Sequence, residues 1–269
     1  MSNKRAAIQQ GIFLLLLVSF CITSCEDRQT KSQQPPPPQR QPPTQSMPDK
    51  NLLDDVIVIV IPLDDAPEGS TASTAMNVYF IFDGSGSMQD PPGRDCEGDQ
   101  TFNAKIEGAK WAIGEFIKKV PPDVNIGLYV FSNDGRREVV PLGAGNHDKF
   151  LQAVNEIRAG RGTPLAESIK IGTDKLVAQY KRQLGYGQYR LVVVTDGEAT
   201  GTPIPQAVKY ATKYGIPIYT IGLCIGENHA LREYSVSYQA ADSFEDLKKG
   251  LEETIAELPM FDPTEFDEK

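Results

Sequence analysis

Residues 77–88 read NVYFIFDGSGSM, and they are the most informative stretch of the chain for its fold. Its first six residues have strand-forming side chains and fit a buried strand, which ends at Asp83. Two glycines follow closely, so the backbone can turn tightly around whatever the Asp and Ser oxygens hold. A set of oxygen ligands favours a hard cation over zinc or copper, which prefer His or Cys. An ordinary turn after a strand is the alternative interpretation, because Asp, Gly and Ser are common turn residues.

Two further segments offer oxygen side chains of the same kind. Residues 190–198 read RLVVVTDGE, in which an apolar strand again ends in Asp-Gly, at Asp196. Residues 160–165 read GRGTPL and place Thr163 at a predicted helix start. Ligands of an open α/β sheet gather at the carboxyl ends of its parallel strands, so Asp83 and Asp196 are expected at one edge. The directions of the intervening elements return Thr163 to that edge, although a helix N-cap followed by Pro164 is the alternative interpretation.

Predicted strands and helices alternate along the chain. Further strands are predicted near 124–131, 136–141, 216–223 and 234–240, and helices near 103–120, near 147–157, after Thr163, between Thr202 and Gly215, and from Ser243 towards Pro259. This order predicts an α/β fold with a doubly wound, mostly parallel sheet and helices on both faces. The segment 136–141 follows its predecessor so closely that we expect one antiparallel edge strand.

The motif residues resemble those of von Willebrand factor type A domains over about residues 75–258. Five residues match the family's metal-ion-dependent adhesion site in order and approximate spacing: Asp83, Ser85, Ser87, Thr163 and Asp196. The resemblance implies a divalent cation, with Mg²⁺ expected and Mn²⁺ or Ca²⁺ as alternatives. It also implies that the three hydroxyls coordinate the cation directly, whereas the two Asp side chains hold its water ligands. Such a site accepts an Asp or Glu from a protein partner, which implies a metal-dependent adhesion or docking module.

Two other classes of function are alternatives. One is a structural or assembly subunit of a cell-envelope complex, which would use the same edge of the sheet or none. The other is a metal-dependent hydrolase, because a strand that ends in Asp also begins haloacid dehalogenase-type phosphatases; these need a second Asp where this chain has Ser85. His147 and His229 follow no triad pattern and are expected at the surface, and residues 83–88 lack the Lys of a phosphate-binding loop. We therefore expect no enzymatic activity.

Residues 1–24 resemble a bacterial lipoprotein signal peptide. Lys4 and Arg5 precede an apolar run at 11–20 that is too short to span a bilayer. Residues 22–25 read ITSC, which is similar to a lipobox and implies that Cys25 is acylated and anchors the chain in a membrane. An uncleaved signal anchor is the alternative. The expected location is the bacterial cell envelope, on the outer side of the cytoplasmic membrane or at the outer membrane.

The segments around the domain differ from it in composition. Residues 25–50 begin with the lipidated cysteine and continue as a Pro- and Gln-rich stretch with little to bury, which predicts a disordered tether. In the extension 51–74, the β-branched run 56–61 either adds an edge strand or packs beneath the domain. The domain is predicted at 75–258, and an acidic tail follows at 259–269.

Charge and cysteine content limit the partners further. The net charge is −9, and it becomes −11 if residues 1–24 are removed. Nucleic acid is not an expected partner, because binding phosphates needs a basic surface. Cys96 and Cys224 are both expected near the metal edge, where a disulfide is favoured outside the cytoplasm and two separate thiols are the alternative. The loops 89–102 and 132–136 are expected to flank the site.

Overall fold

The apolar run that ends at Asp83 forms a central strand of a six-stranded sheet. A computed structural model describes residues 56–93, 96, 102–197, 199–227 and 229–256. Segments 1–24 and 25–50, with Cys25, and the tail 259–269 lie outside the described residues. The strands are β1 Met76–Asp83, β2 Asn125–Ser132, β3 Gly135–Gly143, β4 Gln188–Thr195, β5 Ile218–Leu223 and β6 Ser237–Ala241. The helices are α1 Lys105–Ile117, α2 His147–Glu156, α3 Leu165–Arg182, α4 Ile204–Lys213 and α5 Phe244–Ala256, and a short 3-10 turn covers Gly86–Gln89.

The strands lie in the order β3-β2-β1-β4-β5-β6. All neighbours are parallel except β2 and β3, which form an antiparallel hairpin at one edge of the sheet. From β1 the chain adds β2 and then β3 towards one edge of the sheet. It then crosses back to β4 on the other side of β1 and adds β5 and β6 towards the opposite edge, as in a doubly wound sheet. The predicted fold class, with its single antiparallel edge strand, is confirmed.

Alternate residues of β1 supply the cores on the two faces of the sheet. Val78, Phe80 and Phe82 pack in one cluster with α1, α2 and α5. Tyr79 and Ile81 pack in a second cluster with α3 and α4. Side chains of a strand point alternately to opposite faces, so a strand covered on both faces is apolar throughout. Every residue of β1 is buried, including Asp83 at its carboxyl end.

Two helix starts illustrate local sequence signals. Ser243 caps α5, since its Oγ accepts a hydrogen bond from the backbone N–H of Asp246 at 3.1 Å. Helix α3 begins at Leu165, directly after Pro164, and no side chain caps it. The capping interpretation of Thr163 is therefore wrong, and its hydroxyl is left for another role.

The extension before β1 passes the carboxyl ends of α3 and α4, at the end of the sheet opposite Asp83. The backbone N–H of Ile59 donates to the carbonyl of Lys213 at 2.8 Å, and that of Thr71 donates to the carbonyl of Arg182 at 3.0 Å. Residues 56–61 form no strand, and of these six only Ile61 is buried. Within the described part of the chain, no helix is long and apolar enough to cross a membrane.

Candidate metal centre

Four of the five predicted site residues are joined by short contacts where β1 and β4 end. The backbone N–H of Ser85 donates to Asp83 Oδ1 at 2.8 Å. Ser85 Oγ and Ser87 Oγ lie 3.1 Å apart, and Ser87 Oγ donates to Asp196 Oδ1 at 2.8 Å. The chain thus brings together side chains more than a hundred residues apart in sequence, because β1 and β4 are parallel neighbours that end at one edge. We call these residues, together with Thr163, the oxygen cluster.

Backbone hydrogen bonds hold the loop after β1 against the loop before α3. Gly84 N–H donates to the carbonyl of Phe131 on β2, and the carbonyl of Gly84 accepts from Gly160 N–H, both at 2.8 Å. Gly86 N–H donates to the carbonyl of Arg161 at 2.9 Å. A Cβ at Gly84 would lie 2.9 Å from Ser132 Cβ and 3.0 Å from the Phe131 carbonyl oxygen, so the close approach requires glycine. These contacts fix the loop that carries Ser85 and Ser87.

The loop before α3 holds Thr163 at the same edge. Its backbone N–H donates to Thr200 Oγ1 at 3.1 Å, and its carbonyl accepts from Thr200 N–H at 2.8 Å. The residue is buried, with 6% of its surface exposed. Its own Oγ1 forms no hydrogen bond with any residue that the structure describes. A hydroxyl in this position is available as a ligand.

Asp83 is a buried carboxylate in which each oxygen accepts one hydrogen bond. Besides the bond from Ser85 to Oδ1, the Thr195 hydroxyl donates to Oδ2 at 2.6 Å. Burial raises the pKa of Asp83 to about 6, and the neighbouring Asp196 carboxylate also raises it, although the bonds from Ser85 and Thr195 act in the opposite direction. The two hydrogen bonds orient the ionised carboxylate of Asp83, but a nearby positive charge is needed to offset the cost of burying it.

Lys105 supplies one such charge and was missed by sequence reasoning. Its Nζ donates to Asp196 Oδ2 at 2.9 Å, and the two side chains are 13% and 0% exposed. Lys105 is the first residue of α1, where a positive charge opposes the helix dipole. A lysine at the start of a helix is unfavourable unless it pairs with an anion, so its position in the sequence is a weak signal of this ion pair.

The oxygen cluster fits a hard divalent cation. It offers two carboxylates and three hydroxyls as ligands, without nitrogen or sulfur ligands, and one ammonium balances only one of the two buried carboxylates. Among the described residues, no group of three or more His, Cys, Asp and Glu side chains is placed to hold a metal, and the oxygen cluster contains only two such side chains. A cation bound here would therefore depend on the hydroxyls of the cluster as well.

A disulfide and a buried histidine lie on the β5 side of the cluster. Cys96 and Cys224 form a disulfide, which ties the loop 89–102 to the end of β5. His229 is buried, so the expectation that it lies at the surface is wrong. Its Nδ1 accepts from Leu231 N–H at 3.1 Å, which assigns the proton to Nε2, and Nε2 then donates to the carbonyl of Gly197 at 3.1 Å. The polar segment around His229 thus folds back onto the loop next to Asp196, and local sequence gives no signal of this contact.

Comparisons with known proteins agree with this fold. The model of the von Willebrand factor type A domain family matches residues 77–253. No curated protein sequence matches the chain significantly. Among solved structures, the conserved hypothetical protein BatB from Bacteroides thetaiotaomicron is 19% identical, with a TM-score of 0.52 over 68% of this chain and 98% of that one.

Two more structures share the fold at similar distance. A von Willebrand factor type A protein from Catenulispora acidiphila is 19% identical, with a TM-score of 0.51 over 68% of this chain and 43% of that one. The pilus adhesin SpaC from Lactobacillus rhamnosus GG is 16% identical, with a TM-score of 0.52 over 69% of this chain but only 31% of that protein. At such identities the likeness establishes the fold alone.

Proposed function

Because the chain belongs to the von Willebrand factor type A domain family, we propose that it is a divalent-metal-dependent docking module that captures an acidic residue of a partner protein. Domains of this family often bind a divalent metal at this site, and its adhesion-type members bind protein partners. The observation that carries the proposal is the oxygen cluster, in which two buried carboxylates face one ammonium and the Thr163 hydroxyl is unused.

The hydroxyls and the carboxylates of the cluster would have different roles in metal binding. The cation would be held by the hydroxyls of Ser85, Ser87 and Thr163. The carboxylates of Asp83 and Asp196 would balance its charge without binding it directly. The bound cation supplies an electrophilic position that accepts a carboxylate oxygen of a partner. The bonds from Ser85 and Thr195 keep the Asp83 carboxylate turned towards the cluster rather than towards solvent.

The surroundings of the cluster support binding rather than catalysis. His229 is the imidazole beside it, and both ring nitrogens are engaged, with Leu231 and with Gly197. A general base must reach the proton that it removes, and this ring is held by its own hydrogen bonds instead. We therefore propose that the chain has no enzymatic activity of its own.

Membrane attachment is a further part of the proposal. Cys25, in the sequence ITSC, would carry lipid in the mature protein and hold it at the bacterial cell envelope. Stable anchoring takes more than one acyl chain or a second signal. Cys25→Ser should release the protein from the membrane fraction or leave residues 1–24 attached. Finding residues 1–24 still present in wild-type protein extracted from membranes would contradict this assignment.

A chelator experiment tests the docking function. Full-length protein is crosslinked to its neighbours in intact cells with Mg²⁺ or with excess EDTA, and the partners are identified by mass spectrometry. We expect the wild type to lose its partner in EDTA, and Thr163→Ala to lose it even with Mg²⁺. Ser70→Ala is the matched control, because among the described residues its hydroxyl bonds only to the carbonyl of Pro67, away from the site.

Calorimetry separates metal binding from docking. Mg²⁺ and Mn²⁺ titrations should show binding to the wild type and to Ser70→Ala, with a large loss for Thr163→Ala. A partner captured equally well in EDTA and by the Thr163→Ala protein would rule out this site as the docking surface. That result would favour a structural or assembly subunit of the envelope.

A further inference from the structure

Arg161 has a backbone conformation that its side chain makes costly. Its φ is +66°, in the left-handed region that favours glycine, although glycines stand on both sides of it. Two other described non-glycine residues have positive φ: Leu184 follows the end of α3, where this conformation is common, and Cys224 is held by the disulfide. Neither reason applies to Arg161. Strain of this kind that lacks a structural cause points to a role for the side chain.

The position of Arg161 suggests what that role is. Its carbonyl accepts the hydrogen bond from Gly86, and it precedes Thr163 by two residues, so its backbone forms part of the wall of the oxygen cluster. The residue is exposed, and its guanidinium forms no ion pair or hydrogen bond with any described residue. An exposed arginine without an ionic partner among the described residues therefore lies on the loop that forms this wall.

Arg161 belongs to an arginine-rich surface next to the cluster. The arginine flank, as we call it, lies among the carboxylates of Asp134, Glu138, Glu156 and Glu167 and consists of Arg136, Arg137, Arg158 and Arg161. Arg158 forms an ion pair with Asp134 and, with smaller effects from Arg137 and Arg161, lowers the pKa of that carboxyl. Arg136 pairs with Glu167. Arg161, in contrast, forms no ion pair with any described residue.

The loop 89–102 has the opposite charge. Its sequence contains Asp90, Asp95, Glu97 and Asp99, with Arg94 as its single basic residue. Of these residues the structure describes Asp90, and it also describes Cys96, whose disulfide partner Cys224 follows β5, on the other side of β1 from the β2–β3 hairpin. From its sequence charge we expect this loop to disfavour an acidic partner, which leaves Arg161 as the favoured contact.

We propose that the partner docks with an acidic segment that carries two carboxylates, one for the metal site and a second for Arg161 in the arginine flank. This inference rests on the proposed function and adds the chemistry and orientation of the partner. A guanidinium binds a carboxylate through two parallel hydrogen bonds, so it selects position as well as charge. The second contact would give the Arg161 side chain a role at this left-handed position.

Immobilised peptides test the proposal without knowledge of the natural partner. One probe is a short Gly/Ser peptide with a single central Asp, and the other is the same peptide with one Glu added on each side. In Mn²⁺ we expect the wild-type protein to bind the second peptide about three- to ten-fold more tightly than the first. Arg161→Gln and Arg161→Gly should lose that preference while their affinity for Mn²⁺ is retained, and Arg161→Lys should keep part of it.

Two controls isolate the guanidinium. Arg182→Gln removes an exposed positive charge at the opposite end of the domain, so it reports the effect of net charge alone. Leu184→Gly removes the strain of a left-handed backbone conformation at a position away from the cluster. It therefore reports the effect of replacing such a residue by glycine. Both should keep the preference of the wild type for the second peptide.

The outcomes separate this proposal from the one on which it rests. An unchanged preference in Arg161→Gln would overturn the role of Arg161 and leave metal-dependent docking intact. Failure of both peptides to bind the wild type in a metal-dependent way would overturn both proposals. Binding of the wild type, but not of Arg161→Gln, to phosphatidylglycerol vesicles in EDTA would assign the flank to lipid headgroups and overturn the acidic segment as its ligand.

Discussion

Asp83 contributes a pH dependence to the stability of the metal-free domain. Its pKa is raised from 3.8 to about 6, so the folded state holds a proton that the unfolded chain has lost between these two values. The free energy of unfolding should therefore fall as pH rises through this window, by on the order of 1–3 kcal/mol. Urea unfolding in EDTA across the window measures the fall.

Asp83→Asn removes this dependence. The Asn oxygen can accept from Ser85 N–H, and its amide can donate to Thr195 Oγ1 if the Thr195 hydroxyl turns to the carbonyl of Gly197, which lies 3.1 Å away. The variant should be more stable than the metal-free wild type at pH 7, and calorimetry should find no metal binding. Metal affinity equal to that of the wild type would show that Asp83 has no part in the site.

Lys105 should compete with the metal. Its ammonium occupies Asp196 Oδ2, and removing it leaves that buried carboxylate without its cation. Lys105→Met should bind Mn²⁺ more tightly, by about ten-fold, and its metal-free form should unfold at lower urea concentration. Lys110→Met, further along α1, removes a lysine that bonds the carbonyl of Asn155 and should change neither property. Weaker Mn²⁺ binding by Lys105→Met would mean that the ammonium assists the metal.

The residues of the oxygen cluster could be predicted because spacing and strand direction carry their information. Asp83 and Asp196 each follow an apolar run, and parallel strands must bring them to one edge. Lys105 and His229 could not be found in this way. Their contacts depend on how α1 and the segment after β5 pack against that edge. The hydrophobic periodicity of the sequence does not predict this packing.

The disulfide between Cys96 and Cys224 joins elements that are distant in sequence. The two residues are 128 positions apart, so the bond restricts a large loop of the unfolded chain. The double variant Cys96→Ser, Cys224→Ser should lower the free energy of unfolding by about 2–5 kcal/mol. Urea unfolding of oxidised protein measures the loss, and the wild type in strong reductant should match the variant. Equal stability of the wild type and the variant under oxidising conditions would show that the bond contributes nothing.

Strands and helices were predictable to within a few residues, for reasons visible in particular elements. Helix α5 begins where Ser243 predicts it, because its side chain caps the first turn. The run Val56–Ile61 was ambiguous, because β-branched residues favour a strand only where a neighbouring strand offers hydrogen bonds. Ile59 bonds instead to the end of α4, and no strand forms there.

The whole domain should gain stability from the metal. A cation that binds the folded state alone stabilises it by about 2.7 kcal/mol at one hundred times its dissociation constant. The urea midpoint should therefore rise with Mg²⁺ in the wild type and stay constant for Thr163→Ala. A shift of the same size in both proteins would assign the effect to ions bound elsewhere.

The central place of β1 has a mechanical consequence. The chain enters β1 at Met76, at one end of the domain, and the oxygen cluster lies at the other, directly after Asp83. A pull between a docked partner and the chain before β1 runs along this strand, which is bonded in parallel register to β2 on one side and β4 on the other. Both ladders are then loaded in shear, so their bonds must break together rather than one after another. If the chain is anchored before β1 and a partner docks at the cluster, the domain would transmit tension along its length.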